Sequence, residues 1–595
     1  MLLTKEIYVD LKEKYDKVQK LILEDSKQDP PEEPYKSKYA AKTILEGMKV
    51  KLNELLDQSK DEETYKLTTM YSAVLLNMGL ICVETEELSN GEKHLSACVN
   101  KLEGNHLKND SILIVTKALN QLGILWSLRT KADKSKLYLE RAEQFYIDYK
   151  DLGGTPINIT NIFCSELKPS ADAMLYLEKT YTLTLYYLAQ VYGTSNEDLK
   201  SSLYCHVTLK RQLELKDYES IDWALNAATL SQYFTEKNGF KQARHHLAAA
   251  SYILDQYQTT LETQEVDDET KAANLETFRH RSADIARCWA KYGLCLLANS
   301  WERLMNHADD PEDSPPCNLT SDLSKLILKD DSNISKELKN ITFDNLDLSF
   351  YENQISCEFV LTFEDAKLVF LTTQNWLNKS KEYYTLDNLA SEYAQIVMDV
   401  SQLFKYLALF EEDEDRQCKM HKRRIDQMEE VVKELNPQYY MQICQQFWHE
   451  LALAYSTILD IKLEKLKTQD KPTPHALVKV NSLIDKSINH FTNLLESVKH
   501  PIKKEFPETF AENVEIFAVP SFFLMGRLYN KYITPDKAAQ MENTKKSLEY
   551  YQFLVNYCER NPECAKRLSV ELEVSKELVN LLPVKIQKLS GEILQ

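Results

Sequence analysis

Glycine and proline are scarce, with 12 and 17 among 595 residues. A β-rich chain of this length needs many more turn formers to punctuate its strands, so the shortage excludes a β-dominated fold. Basic charge is also short. Seventy-two Lys and Arg face 91 Asp and Glu, a formal net charge of −19. That balance argues against a nucleic-acid binder, which needs clustered cations for phosphates, and against adsorption to acidic membranes. It suits a partner with a basic face, and it also serves solubility. No two of the 12 cysteines form a C-x-x-C pair, and Cys82, Cys98, Cys205 and Cys288 fall at helical core positions, which predicts reduced, buried thiols in a cytoplasmic protein. The first ten residues carry charges and lack the apolar centre of a secretory signal. The longest apolar stretch, around Tyr71 to Val83, is shorter than the 18 or so residues of a membrane span, which predicts no membrane insertion.

Catalytic and ligand-binding signatures are missing too. There is no G-x-x-x-x-G-K-[ST] and no G-x-G-x-x-G following a strand. His449-Glu450 opens like H-E-x-x-H, but Leu453 stands where the second histidine would be. His245 and His246 are adjacent and so diverge by about 100° around a helix, a poor metal pair. Cys418-Lys-Met-His421 could put two ligands on one helical face, yet no second pair lies nearby, and structural zinc takes four. Lys419, Lys422, Arg423 and Arg424 follow an acidic run, Glu411 to Asp415, and read as a charge-balanced solvated helix. The sequence therefore predicts no catalytic residue, no metal and no cofactor: a protein that is not an enzyme.

What is abundant is helix-forming sequence, rich in Leu, Lys, Glu, Ala and Gln. It is organised as a repeat, large-x2-large-small-x2-large on one helix and small-x3-large-x2-small on the next. The large residues fill the seam of a helix pair, and the small one lets the backbones approach. The pattern occurs at Leu75, Met78, Gly79 and Cys82 with Gly91, Leu95 and Cys98. It recurs at Leu119, Leu122, Gly123 and Trp126 with Ser135, Leu139 and Ala142, then at Leu185, Leu188, Ala189 and Tyr192 with Ser201, Cys205 and Thr208. Ala227, Leu230, Ser231 and Phe234 come next, with Ala243, Leu247 and Ala250. Trp289, Tyr292, Gly293 and Leu296 begin a fifth match, Trp448, Leu451, Ala452 and Tyr455 another. Phe522, Met525, Gly526 and Tyr529 make the seventh, with Ser547, Tyr551 and Leu554. The first five small residues, at 79, 123, 189, 231 and 293, are separated by 44, 66, 42 and 62 residues, so long helices or loops must absorb the irregularity. Such recurrence predicts an all-α stack of tetratricopeptide-like antiparallel helix pairs.

Composition divides the chain into an N-terminal array over 1–306, a polar and acidic linker or long loop over 307–361, and a C-terminal array over 362–595. Further loops are expected at 150–171 and 262–271, an N-terminal capping helix at about Lys5 to Glu24, and an amphipathic run from Thr362 to Tyr384. Solenoids bind along the face lined by their first helices. There, off the packing positions, Tyr187 and Gln190 on one helix and Thr229 and Gln232 on the next form an uncharged stripe suited to a partner's backbone or helix.

Longer strings carry a resemblance: Glu33-Pro-Tyr-Lys-Ser-Lys-Tyr39, Leu122-Gly-Ile-Leu-Trp-Ser127, Leu185-Tyr-Tyr-Leu-Ala-Gln-Val-Tyr192, Leu209-Lys-Arg-Gln-Leu-Glu214, Asn226-Ala-Ala-Thr-Leu-Ser-Gln232, Ile285-Ala-Arg-Cys-Trp289, Cys418-Lys-Met-His-Lys-Arg-Arg-Ile425 and Leu435-Asn-Pro-Gln-Tyr-Tyr440. With these the sequence resembles the kinesin family binding protein (KIF-binding protein) family over nearly its whole length, departing from it at 50–70, 150–172 and 262–350. The resemblance implies a right-handed superhelical solenoid, a monomer when free, that binds kinesin motor domains over their microtubule-binding surface and controls their attachment to microtubules. It implies roles in axonal transport, including that of mitochondria, in axon outgrowth and in axonal microtubule organisation, and a cytoplasmic, cytoskeleton-associated location. It also implies that Tyr187, Gln190, Gln212 and Thr229 touch the motor; Ser282, beside Arg281, stands where the family is usually basic. The alternative from the repeats alone is a general tetratricopeptide adaptor for a chaperone or cargo complex.

Overall fold

The computed structural model describes residues 3–60, 62–166, 171–263, 267–306, 341–467 and 473–593. Their regular structure is helical, with no strand among the described residues. The first helices in chain order are α1 (Lys5–Leu23), α2 (Lys36–Gln58), α3 (Glu62–Glu84), α4 (Leu88–Lys101), α5 (Ile112–Leu128) and α6 (Ala132–Asp151). Next come α7 (Ala171–Thr194), α8 (Asp198–Leu215), α9 (Ser220–Glu236), α10 (Phe240–Thr263) and α11 (Asp268–Asn306). Beyond the undescribed segment are the one-turn α12 (Ser349–Glu352), then α13 (Phe363–Tyr383), α14 (Ala390–Phe410), α15 (Glu414–Glu434), α16 (Pro437–Lys467) and α17 (Pro474–Ser497). The series ends with α18 (Glu512–Asn530), α19 (Lys537–Arg560), the short α20 (Pro562–Arg567) and α21 (Ser569–Ile593). The expected capping helix and amphipathic run are α1 and α13. Thr362 caps α13 by accepting a hydrogen bond from the Asp365 N–H at 3.2 Å, as Thr4 does for α1 from Ile7 at 3.4 Å.

The repeat pattern works as a lock between paired helices. A Cβ added at Gly123 on α5 would lie 2.5 Å from Leu139 Cγ on α6, so only glycine permits that crossing. At the same level the Ser135 hydroxyl of α6 donates to the Gly123 carbonyl at 2.7 Å. Gly123 lies near the end of α5 and Ser135 near the start of α6, so the two helices run antiparallel. The device recurs: Ser201 donates to Ala189 O at 2.8 Å, Ser487 to Ala452 O at 2.8 Å and Ser547 to Gly526 O at 2.7 Å. The helical carbonyl keeps its place in the ladder and takes the hydroxyl on its second lone pair, so the buried serine is satisfied without breaking the helix. The fold is the expected all-α solenoid of tetratricopeptide-like pairs.

The chain groups into two compact units. The described part of the first runs to Tyr233, within α9, and includes 341–346; the second holds the described residues from Phe234 to 306 and from 347 onward. In the first unit each helix packs on its sequence neighbour from α1 through α8, and α5 also packs on α3 and α7. Its core runs through Leu11, Leu45, Val74, Leu119, Leu139 and Leu188, all fully buried or nearly so. Helix α3 is long and apolar enough to pass for a membrane span by composition, being longer than the apolar stretch read from the sequence, but 72% of that window is buried inside the protein. Among the described cysteines, Cys82 and Cys98 are buried as expected, while Cys205 and Cys288 are only half-buried.

In the second unit the fifth repeat closes across the 307–361 segment. Helix α11 pairs with α13: Thr373 Oγ1 occupies the space a Cβ at Gly293 would need, the Ser380 hydroxyl donates to Ala283 O at 3.3 Å, and Trp289 stacks on Trp376 at 4.6 Å. The segment thus interrupts one pair instead of parting two arrays. Most of it, 307–340, lies outside the described residues. The remainder, 341–361, is packed and not linker-like. Phe343 lies against Trp223 and His206 in the first unit. In the second, Glu352 meets His245 Nδ1 at 2.7 Å, Arg244 donates to Ile355 O at 3.0 Å, and Tyr292 to Ser356 O at 2.7 Å. A pair that the sequence reading passed over, α14 with α15, continues the series.

Candidate functional site

Helices α7, α8 and α9 of the first unit line one open groove of about 350 Å³. Ala189, Cys205, Leu209 and Leu230 make its apolar floor, and Tyr186 and Tyr233 its aromatic walls. Amide and hydroxyl groups come from Gln190 on α7, Gln212 on α8, and Asn226 and Thr229 on α9. Gln190 and Thr229 are exposed and Gln212 is half-buried.

The lining offers surface and hydrogen bonds, not charge. Asp198 is its one charged residue, and it holds neither Lys nor Arg. Three of its hydroxyls are engaged internally, Ser201 with Ala189 O, Ser202 with Leu199 O and Thr208 with Tyr204 O, each at 2.8 Å. Burial pushes the Cys205 thiol up to about 11, so it stays protonated and unreactive at neutral pH. The side-chain amides at the rim are the groups best placed to read a partner's backbone or polar side chains.

Three of the four residues singled out from the sequence, Gln190, Gln212 and Thr229, therefore share this groove. Tyr187 does not line it. It is half-buried and packs edge-on against Tyr186, with ring centroids 5.3 Å apart, and burial, with Tyr186 beside it, raises its phenol above the ordinary value. Gln232 of the predicted stripe also lies off the groove. The sequence reading missed Tyr186, Asn226 and Tyr233. The signal was there: Tyr186 is four residues before Gln190, and Asn226, Thr229 and Tyr233 are spaced three and four, so each set shares a helical face.

A buried polar network sets α7 against α6 and α8 behind the groove. Glu178 meets Arg211 at 2.5 Å, Lys150 at 2.8 Å and the Tyr146 hydroxyl at 2.6 Å. Tyr146 stacks on Tyr181 at 3.7 Å, with Arg211 over the Tyr181 face. Burial alone would raise the Glu178 carboxyl; Lys150, Tyr146 and Arg211 outweigh it and hold the group below its ordinary value. Because Arg211 adjoins Gln212, the network fixes the α8 turn that carries Gln212 into the groove.

The other chemistry-bearing residues have structural places. Cys418 and His421 are buried in the seam of α15, and burial, helped by Arg424, lowers His421 to about 4, leaving it neutral. The basic run is split: Lys422 pairs with Asp426, while Arg424 is buried between the Ser401 hydroxyl at 2.9 Å and Glu450 at 2.6 Å. Glu450 of the H-E dipeptide is thus committed to Arg424. His246 is fully buried, with Nδ1 facing Gln242 O. Among the described residues no three His, Cys, Asp or Glu side chains converge as metal ligands.

Fold and groove together define a helical-repeat scaffold with a largely uncharged open cleft across three consecutive helices. The family model described as "KIF-1 binding protein C terminal" matches residues 221–589. The KIF-binding protein of Gallus gallus is 39% identical over 589 residues, covering 98% of this chain and 97% of its own; that of Homo sapiens is 36% identical over 594 residues, covering 94% of each. The solved structure described as "Cryo-EM map of KIFBP" superposes with a TM-score of 0.63 at 31% identity, covering 98% of this chain and 99% of that one. The chain belongs to the KIF-binding protein family.

Proposed function

We propose that this protein is a non-enzymatic regulator that binds kinesin motor domains over their microtubule-binding surface and so controls their attachment to microtubules. Its relatives are named for binding KIF proteins, and the likeness to them runs over nearly the whole chain. The observation that carries the reading to a site is the gathering of Gln190, Gln212 and Thr229 on one groove. The charge agrees: a surface that grips acidic tubulin is basic, and a chain of net charge −19 competes for it by the same attraction. A clamp for acidic peptides, the adaptor alternative, would need cations that the groove lining does not hold. The working location is the cytoplasm, on or near the cytoskeleton, in support of axonal transport, axon outgrowth and axonal microtubule organisation.

Microtubule co-sedimentation of purified kinesin motor domains tests this. Motors that pellet less in the presence of the protein support it; motors that pellet equally with and without it overturn it. The triple variant Gln190→Ala, Gln212→Ala, Thr229→Ala should restore pelleting, and full inhibition by that variant would move the site elsewhere.

A further inference from the structure

Helix α21 has two apolar faces, and only one is covered. Ser575, Leu582 and Leu589, seven residues apart, are buried, and the helix packs against α18, α19 and α20. The other face carries Val570, Val574, Leu581 and Val584, which are 70%, 40%, 62% and 65% exposed. With Glu577 and Lys588, both exposed, these six fall at intervals of 4, 3, 4, 3 and 4 residues, the spacing of a coiled-coil seam. Pro583 projects from a different side of the helix. Four exposed aliphatic side chains aligned along one helix face make a continuous apolar strip, the kind of surface that marks an interaction site when it is contiguous.

The two charges within the seam say what covers it. If two copies of α21 pair antiparallel about a two-fold axis between residues 582 and 583, Leu581 of each meets Val584 of the other. In that register each Glu577 meets Lys588 across the axis, and each Val574 faces Gly591, which has room for it. Pairing about residue 577 would align Val570 with Val584 but set the two Glu577 carboxylates against each other. Charge thus selects the first register, and the surface is complementary to itself as a two-fold contact requires. We infer that this face of α21 is a homodimer interface in which a second copy of the chain supplies the missing half of the seam. A single helix against a single helix is a small contact, so the dimer is weak and forms at roughly micromolar concentrations. It replaces the expectation of a monomer and is independent of the proposed kinesin binding.

Sedimentation velocity of the full chain over about 1–100 micromolar tests it. The wild type should shift from monomer to dimer with concentration. Leu581→Glu with Val584→Glu should remain monomeric, with an unchanged melting curve because both side chains face solvent. Should that variant fold poorly, the charges decide: Glu577→Lys should weaken the dimer by roughly tenfold, and adding Lys588→Glu should restore it. A wild type that stays monomeric throughout overturns the inference, as does a dimer that ignores both substitutions, or a double reversal that fails to restore what the single one lost. If the wild type is monomeric and the Leu581→Glu, Val584→Glu variant binds kinesin motor domains less well, the face belongs to that partner and the dimer is wrong.

Discussion

At the residue scale the groove separates side chains that line it from side chains that hold them in place. Tyr186 walls the groove and Tyr187 braces Tyr186 from beside it. Tyr187→Phe keeps the ring that braces, so its affinity for a kinesin motor domain should match wild type. Tyr186→Ala removes a wall and should weaken binding by about 1–2 kcal/mol, roughly five- to thirtyfold. Titration of fluorescent motor domain measures both; a large loss from Tyr187→Phe would put its hydroxyl at the contact. The Glu178–Arg211 pair makes a second prediction. Both side chains are largely buried, at 16% and 14% exposed. Arg211→Leu leaves the Glu178 carboxylate with only the more exposed Lys150 and the Tyr146 hydroxyl and should cost about 1–3 kcal/mol. Glu178 titrates below its ordinary value in the folded protein, so its stabilisation is complete above the unfolded carboxylate range and fades as pH falls through the folded value. The gap between the melting temperatures of wild type and Arg211→Leu should therefore narrow from about pH 6 to pH 3. A gap constant with pH would mean that Arg211 acts by packing on Tyr181 alone.

At the scale of elements, stability rests on crossings where one side chain must be absent. Gly123→Ala drives a methyl into Leu139 and should destabilise by about 1–3 kcal/mol. Gly47, exposed in α2 with nothing within 4 Å of an added Cβ, is the control. There Gly47→Ala gains helix propensity and should stabilise by about 0.5–1 kcal/mol. Chemical denaturation of the two variants reads opposite signs if the small positions are crossings, and equal signs if glycine matters only to the helices. These crossings were legible in the sequence because glycine inside a helix is otherwise unfavourable, so its regular placement carries information. The α14/α15 pair was not, although Val397, Val400, Ser401 and Phe404 keep the same spacing. Its second helix hides the seam behind polar letters. Cys418, His421 and Arg424 look like ligands or a basic run, yet all three are buried, Arg424 with Ser401 and Glu450 as its partners. A periodicity search that scores hydrophobicity cannot see a seam that carries buried polar side chains. The fifth pair was half visible for another reason: its second helix, α13, comes after an insertion, and spacing alone does not show that α11 and α13 close on each other. In the groove, helical spacing found Gln190 and Thr229 but could not tell Tyr186 from Tyr187, because neighbouring residues differ only in which way the helix is turned.

At the scale of the whole molecule the charge and the groove are separate devices. The excess of acidic residues acts at a distance, whereas the groove lining holds a single carboxylate, Asp198, and no cation. Long-range attraction between an acidic protein and a basic surface raises the rate of encounter and is screened beyond about 8 Å at physiological salt. Close uncharged contacts, by contrast, decide how long the complex lasts. The two contributions should come apart in surface-plasmon measurements of motor-domain binding. Raising salt from about 50 to 200 mM should slow association severalfold and leave dissociation nearly constant. Gln190→Ala with Thr229→Ala should do the reverse, speeding dissociation roughly tenfold while leaving the salt dependence of association unchanged. If salt moves dissociation as strongly as association, charged pairs lie within the contact itself, and the groove is not where the motor is held.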